Sequence, residues 1–275
     1  QDGSVPVNEG IHKVVQLMKD EGMPVVFTPQ VVQLPTVPLY RKANKCDMGT
    51  ADKVCCVAMG VRDQAETLGI GCGQTSFVLA EVGHGFNAAF AIDGGAIVDG
   101  VGGTSGGPGF LTLGAMDSEI AMRTDSFPQI SLFTGGAGTM TGQPDMTPEI
   151  LVAERARYSD AWNMLIESVV KNIAAMLVSV PQPREILLTG RLTDMPEVYA
   201  ELEQRLVRYG QVRKVKRRDA SVAKEAAEGA YVIGEGLAGG NYRDIVECLK
   251  LRQATGTMFD YILMQGVNVR TPLSD

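Results

Sequence analysis

The sequence predicts an α/β fold in which three antiparallel strands precede alternating helices and strands. Three observations predict it. Between residues 76 and 101, the β-prone runs 77–82, 86–92 and 96–101 are separated by Gly83-His84-Gly85 and Asp93-Gly94-Gly95, both with hairpin chemistry. From Thr147 onward, helical and strand patterns alternate. The resulting order from Ser76 is β-β-β-α-β-α-β-α. That is the ribonuclease-H-like arrangement, and connection rules place the later strands parallel beside the first.

Taken in order, Ile11, Val14, Val15 and Met18 fall at helical spacing, with Gly22 closing the helix. Val25-Val26-Phe27 reads as a strand. Pro29, Pro35 and Pro38 then forbid a long helix and give an extended crossing. The next helix has Thr50 at its N-cap and Asp52 in its first turn. Its apolar stripe is Val54, Val57, Ala58, Val61, Ala65 and Leu68, and Gly69 follows its end.

After the meander, 102–114 is rich in glycine and the chain is irregular to Thr147; the sequence assigns 102–147 no role. Thr147-Pro148 starts one long helix that runs to Leu177, with Trp162 in its core face. Residues 185–189 form a strand and 194–208 a helix. A strand at 212–215 has the basic flanks of a sheet edge. Helices follow over 220–237 and 242–254. Residues 1–72 therefore read as the back part of a first unit, and 73–275 as a full second unit.

Composition narrows the class. The 275 residues are 45 % apolar and 21 % charged, as in ordinary globular chains. With 25 Lys and Arg against 32 Asp and Glu, the net charge of −7 argues against nucleic-acid binding driven by phosphate neutralisation. No uninterrupted apolar run approaches the roughly 20 residues of a membrane helix, and neither a secretory signal nor a transit peptide is recognisable. A cytoplasmic protein is expected. The five cysteines, Cys46, Cys55, Cys56, Cys72 and Cys248, lack metal-site spacing, and His12 and His84 are the only histidines. Unpaired thiols in a reducing compartment follow.

Three glycine elements carry the functional reading. In Gly83-His84-Gly85 the glycines allow positive φ, and the turn's amides can donate to an anion; a plain hairpin has the same sequence. No Gly-Lys-Ser or Gly-Lys-Thr of a Walker loop occurs. In Ile186-Leu187-Leu188-Thr189-Gly190-Arg191 a buried strand empties into glycine, where α/β sheets place ligands. Gly229, in a small-residue helix, admits either a ligand or another backbone.

These elements, in this order, resemble the actin-like ATPase superfamily of sugar kinases, acetate kinases and heat-shock ATPases. Residues 81–87 look like its second phosphate element, 186–191 like its adenosine strand and 226–236 like its connecting helix. Within that group the chain is similar to an archaeal family described as predicted butyrate kinases, of otherwise undefined function. The carrying residues are Leu34-Pro35-Thr36-Val37-Pro38, Tyr40-Arg41-Lys42-Ala43-Asn44 and Asp47-Met48-Gly49-Thr50-Ala51-Asp52-Lys53-Val54.

The resemblance implies two ribonuclease-H-like lobes with ATP and Mg²⁺ between them, the second lobe complete and the first partial. The superfamily's first phosphate loop has no counterpart: either a segment lies before Gln1, the expectation given the loop-like Gln1-Asp2-Gly3-Ser4 opening, or the family has dispensed with the loop. Other departures concern the chemistry. Thr28 stands where acid kinases carry a carboxylate, Asp52 where they carry a phosphate-contacting histidine, and 109–115 holds no arginine.

The resemblance assigns phosphate contact to Gly83, His84 and Gly85. Nucleotide contact falls to Gly190, Arg191 and Gly229, and catalysis to Asp47, Asp52 and Lys53, with Asp47 and Asp52 also holding Mg²⁺. Arg41, Lys42 and Lys53 either supply positive charge or are solvated at the surface. The implied function is an ATP-dependent phosphotransferase of the acid-kinase type acting on a small carboxylate. The alternative is a nucleotide-binding regulatory or scaffold protein without catalysis. A homodimer or a protein partner stays open.

Overall fold

The computed structural model describes residues 6–218 and 223–266. The loop read at Gln1-Asp2-Gly3-Ser4 and the first residues of the helix expected from Ala220 lie outside them. Helix α1 (Pro6–Asp20) ends ahead of Gly22, whose φ of 61° is left-handed.

The strand expected at Val25-Val26-Phe27 does not form. The segment pairs with no described strand, and Val26 and Phe27 are 72 % and 64 % exposed. β-branched and aromatic residues favour a strand only where a neighbour takes up its backbone groups. The proline-bearing crossing contains a 3₁₀ turn (Val31–Gln33) and the short α2 (Leu39–Lys42).

Helix α3 (Ala51–Leu68) has Thr50 as its N-cap residue. It ends on Gly69 at φ 63°, whose amide donates to the Ala65 carbonyl. The expected single apolar stripe is too narrow a description, because residues 54–64 are all buried. The helix lies between the sheet and a later helix, so both of its sides face protein.

Strands β1 (Ser76–Val82), β2 (Asn87–Asp93) and β3 (Ala96–Val101) form the meander. Short helices α4 (Ser118–Met122) and α5 (Ala137–Met140) interrupt the irregular region. The one long helix expected from Thr147 is two, α6 (Pro148–Ala153) and α7 (Ser159–Ser179). Thr147 caps the first by accepting from the Ile150 amide. Between Ala153 and Ala161 no residue is fully buried and Tyr158 alone packs against the core, so this stretch lacks the apolar stripe that would hold it helical.

The chain continues through β4 (Glu185–Thr189), α8 (Pro196–Leu206), β5 (Val212–Lys214), α9 (Glu225–Leu237) and α10 (Arg243–Cys248). The last expected helix is shorter than 242–254 because Lys250, at φ 55°, breaks it.

Five strands make one mixed sheet in the order β3-β2-β1-β4-β5. β1 to β3 pair antiparallel, and β4 and β5 add parallel beyond β1. The ribonuclease-H-like order read from the sequence is the one observed. Alternate residues feed two cores. Phe77, Leu79, Phe90 and Leu187 pack toward α3, α9 and α10. Val78, Ala80, Ala89, Ile186 and Leu188 pack toward α7 and α8, with Trp162 7 % exposed among them. Burying a side chain the size of Phe77 or Phe90 contributes about 2–3 kcal/mol. Helix α7 is long and apolar enough to cross a membrane, yet it packs on the sheet.

Candidate functional site

Strands β1, β4 and β5 point the same way, and their carboxyl ends open on a cavity of about 300 Å³. Gly83 and His84 line it from the β1–β2 bend, Gly190 and Arg191 from the exit of β4. Asp52 and Lys53 reach it from the first turn of α3, and Arg217, Lys224 and Glu225 from the approach to α9. Six of the nine residues singled out from the sequence thus meet at or beside one cavity: Asp52, Lys53, Gly83, His84, Gly190 and Arg191. Gly85 completes the bend without lining it.

The bend is built differently from the expectation of left-handed glycines. Gly83 and Gly85 both have ordinary negative φ. The Gly83 amide donates to the Phe86 carbonyl at 2.9 Å, closing the turn. The amides of His84 and Gly85 have no protein acceptor among the described residues. Glycine at 83 answers to space instead, since a Cβ there would lie 3.0 Å from both Glu81 Oε1 and the Phe86 carbonyl oxygen.

The glycine-rich segment supports the bend from behind. The Gly85 carbonyl accepts from the Leu111 amide (3.3 Å), the Thr112 amide (3.1 Å) and the Thr112 hydroxyl (3.0 Å). A Cβ at Gly109 would collide with that carbonyl. The run 102–114 is thus a buttress, a role its composition did not disclose.

Inside the cavity, Lys53 Nζ bridges Asp52 Oδ2 at 2.8 Å and Glu81 Oε2 at 3.1 Å. Burial pushes the Glu81 carboxyl above its ordinary range, and the attraction of Lys53 only partly reverses it. For Asp52 burial also acts upward, but the charge and hydrogen bond of Lys53 and the Thr50 hydroxyl outweigh it and the net shift is downward. Burial alone would lower the Lys53 ammonium; the carboxylates of Glu81 and Asp52 raise it instead. Burial, then the Glu81 charge, raises the neighbouring Cys56 thiol.

Glu81 escaped the sequence reading. The available signal was a carboxylate inside an apolar strand, two residues ahead of Gly83. Arg191 and Lys224 are exposed and have no ion pair among the described residues. Arg217 is tied to Asp194 (3.5 Å) and more loosely to Glu225 (3.9 Å).

Gly190 is required where it stands. Its φ is 97°, and a Cβ would lie 2.6 Å from the Val82 carbonyl oxygen. Gly229 lines no part of the cavity; it lets α9 close on the backbone of α3 at Cys55, where a Cβ would collide. Lys42 is buried, donating to the Leu34 carbonyl at 2.8 Å with its ammonium over the Tyr261 ring, so the solvated reading fails there. Arg41 pairs with Asp99 at 3.6 Å.

Asp47 does not line the cavity. Its Oδ2 accepts from the Thr104 amide and hydroxyl, both at 3.0 Å, and its Oδ1 from the Gly49 amide. It therefore fixes the start of the buttress. The Mg²⁺ assignment to Asp47 and Asp52 does not fit this arrangement. One carboxylate is taken up by backbone and hydroxyl donors, the other by an ammonium already in the place of a cation. Among the described residues no three His, Cys, Asp or Glu side chains are grouped to hold a metal.

The sheet order and the cavity at the ends of its parallel strands define an α/β protein of ribonuclease-H-like topology. The chain belongs to the family described as "Protein of unknown function (DUF1464)", whose model matches residues 2–264. That description includes no butyrate-kinase activity. No curated protein matches the chain.

Among solved structures it is similar to the acetate kinase of Entamoeba histolytica (14 % identity, 55 % of this chain and 44 % of that one, TM-score 0.47). The acetate kinase of Porphyromonas gingivalis is similar over 62 % of this chain and 51 % of its own, at 15 % identity and TM-score 0.47. A ROK family protein of Streptococcus pneumoniae TIGR4, solved with sucrose, gives 14 % identity, 66 % and 65 % coverage and TM-score 0.38. The chain spans about half the length of the two acetate kinases.

Proposed function

We propose that the cavity binds the phosphates of ATP and that the protein is a kinase-type phosphotransferase with a small carboxylate as acceptor. The carrying observation is the pair of unpartnered amides at His84 and Gly85, beside a cavity that Arg191 and Lys224 border with unpaired charge. Backbone amides on a buttressed bend are preorganised donors, and polyphosphate is the abundant ligand that matches several such donors together with cations.

In this reading His84 and Gly85 donate to phosphate oxygens, Arg191 and Lys224 offset their charge, and Gly190 lets the exit of β4 close on the Val82 backbone at the cavity's edge. Lys53, held by Asp52 and Glu81, faces the transferring group. Residues 1–72 would then form part of a first lobe and 73–275 the nucleotide-holding second one.

Calorimetry of the chain with Mg-ATP tests the binding. Heat of binding is expected, and Arg191→Ala with Lys224→Ala should weaken it at least tenfold. No heat with either ATP or ADP would overturn the proposal. Phosphorylation of acetate or butyrate tests the acceptor. Binding without transfer to either would leave the regulatory reading in its place.

A further inference from the structure

A second cavity, of about 420 Å³, lies along the far half of α3 and is lined by Arg62, Lys216, Arg217, Arg218 and Tyr242 together with acidic residues of the helix. The chain is acidic overall, yet residues 213–218 hold five basic side chains in six positions. Most of that charge is matched. Arg213 pairs with Asp63 and with Glu185, Lys214 with Asp194, and Arg217 with Asp194 and Glu225.

Among the described residues, two of the five have no carboxylate partner. Lys216 Nζ reaches only the Thr67 hydroxyl, at 3.4 Å. Arg218 donates to the Tyr242 hydroxyl at 3.2 Å and lies over the Tyr231 ring at 4.8 Å, with no carboxylate in ion-pair contact with its guanidinium among the described residues.

Beneath them Arg62 is 6 % exposed, and its Nε is buried without a hydrogen bond among the described residues. Its nearest carboxylates, Glu66 and Glu228, stand at 3.9 Å. A buried guanidinium donor left unmatched costs free energy that a ligand oxygen would recover.

The acidic groups facing this cavity do not cancel it. Asp63 is taken up by Arg213, the Lys216 amide and the Thr67 hydroxyl. Glu66, 64 % exposed, approaches Arg62 Nε only to 3.9 Å, and Glu228 Oε2 accepts from the Arg218 amide at 3.3 Å.

We propose that this cavity is a second anion site, bordering the first cavity at Arg217, taking a small polyanion with phosphate or carboxylate groups. Lys216, Arg218 and Arg62 would hold it. The forked guanidinium groups suit two oxygens at once, which a single chloride cannot satisfy.

Inorganic pyrophosphate and citrate are the probes, titrated calorimetrically into the protein and into Lys216→Gln/Arg218→Gln and Arg191→Ala variants. Both residues of the double variant are exposed, and its urea midpoint confirms that it folds. The expected result is a binding event for at least one probe that weakens tenfold or more in the double variant and persists in Arg191→Ala. The tighter probe names the group. No binding of either probe, binding indifferent to the double substitution, or binding lost only in Arg191→Ala would each overturn the proposal.

Discussion

The two glycine joints of the meander have nearly the same sequence signature and opposite physical reasons. At the β2–β3 joint, Gly94 and Gly95 have φ of 57° and 72°. That left-handed pair matches the twist of a two-residue hairpin, and only glycine adopts it without strain. At the β1–β2 joint neither Gly83 nor Gly85 is left-handed, the turn closes through the Gly83 amide, and two further amides have no acceptor among the described residues. One joint uses glycine for conformation; the other uses it to keep space open beside free donors. A hairpin that satisfied its own amides would have nothing to offer a ligand.

Four substitutions separate these reasons. The largest effect is expected at Gly95→Val, where a Cβ would lie 2.6 Å from the Cys72 carbonyl oxygen and the φ is left-handed. Strain and overlap together should cost about 3–4 kcal/mol in urea unfolding; a loss under about 1 kcal/mol would mean that the joint relaxes freely. Next comes Gly83→Val. It should weaken ATP binding at least tenfold, about 1.4 kcal/mol, with a smaller change in unfolding free energy, because the added atoms crowd Glu81 and the Phe86 carbonyl at the edge of the cavity. Unchanged affinity in calorimetry would place the phosphates elsewhere.

Gly94→Ala should cost about 1 kcal/mol from its left-handed φ alone, since its Cβ meets only an ordinary contact at 3.6 Å. The smallest effect is expected at Gly85→Ala. Its φ is ordinary and its Cβ would meet Leu111 at 3.6 Å, so stability should stay within about 0.5 kcal/mol and ATP affinity should hold. A large loss at Gly85 and none at Gly94 would reverse the comparison.

The acidic floor of the bend gives a pH test. The Glu81 carboxyl is raised by burial, so the folded state keeps its proton to higher pH than the unfolded chain does. Its contribution is full below the ordinary glutamate range near 4.5 and falls as pH rises through the raised value. The unfolding free energy of the protein minus that of Glu81→Gln should therefore decline from pH 4.5 upward. A flat difference would mean that the Lys53 pair fully offsets the burial. Asp52 is shifted the other way, so its contribution disappears only as pH falls below about 3.8.

Much of this was legible. The meander, its β2–β3 joint, β4 to within no residue of its observed bounds and the caps at Thr147 and Gly69 came from local chemistry, and the six cavity residues from the glycine elements together with the family resemblance. The failures share a cause. Val25-Val26-Phe27 has strand propensity but no neighbour, and the helix from Thr147 breaks where the core withdraws. Glu81 and the 102–114 buttress matter through residues distant in sequence. Asp47 looked equivalent to Asp52 five positions away, yet its acceptor capacity is satisfied by Thr104 across a loop.

By itself the sequence determined the order of the meander and of the strands and helices after it, because periodicity, caps and turn residues act over a few neighbours. It also determined the ends of β1 and β4, where glycine must stand. Only the tertiary structure decided which amides stay free, which carboxylates are paired and which arginine is left unmatched. Those outcomes depend on donors and acceptors that are brought together by folding, and no local pattern records where they will meet.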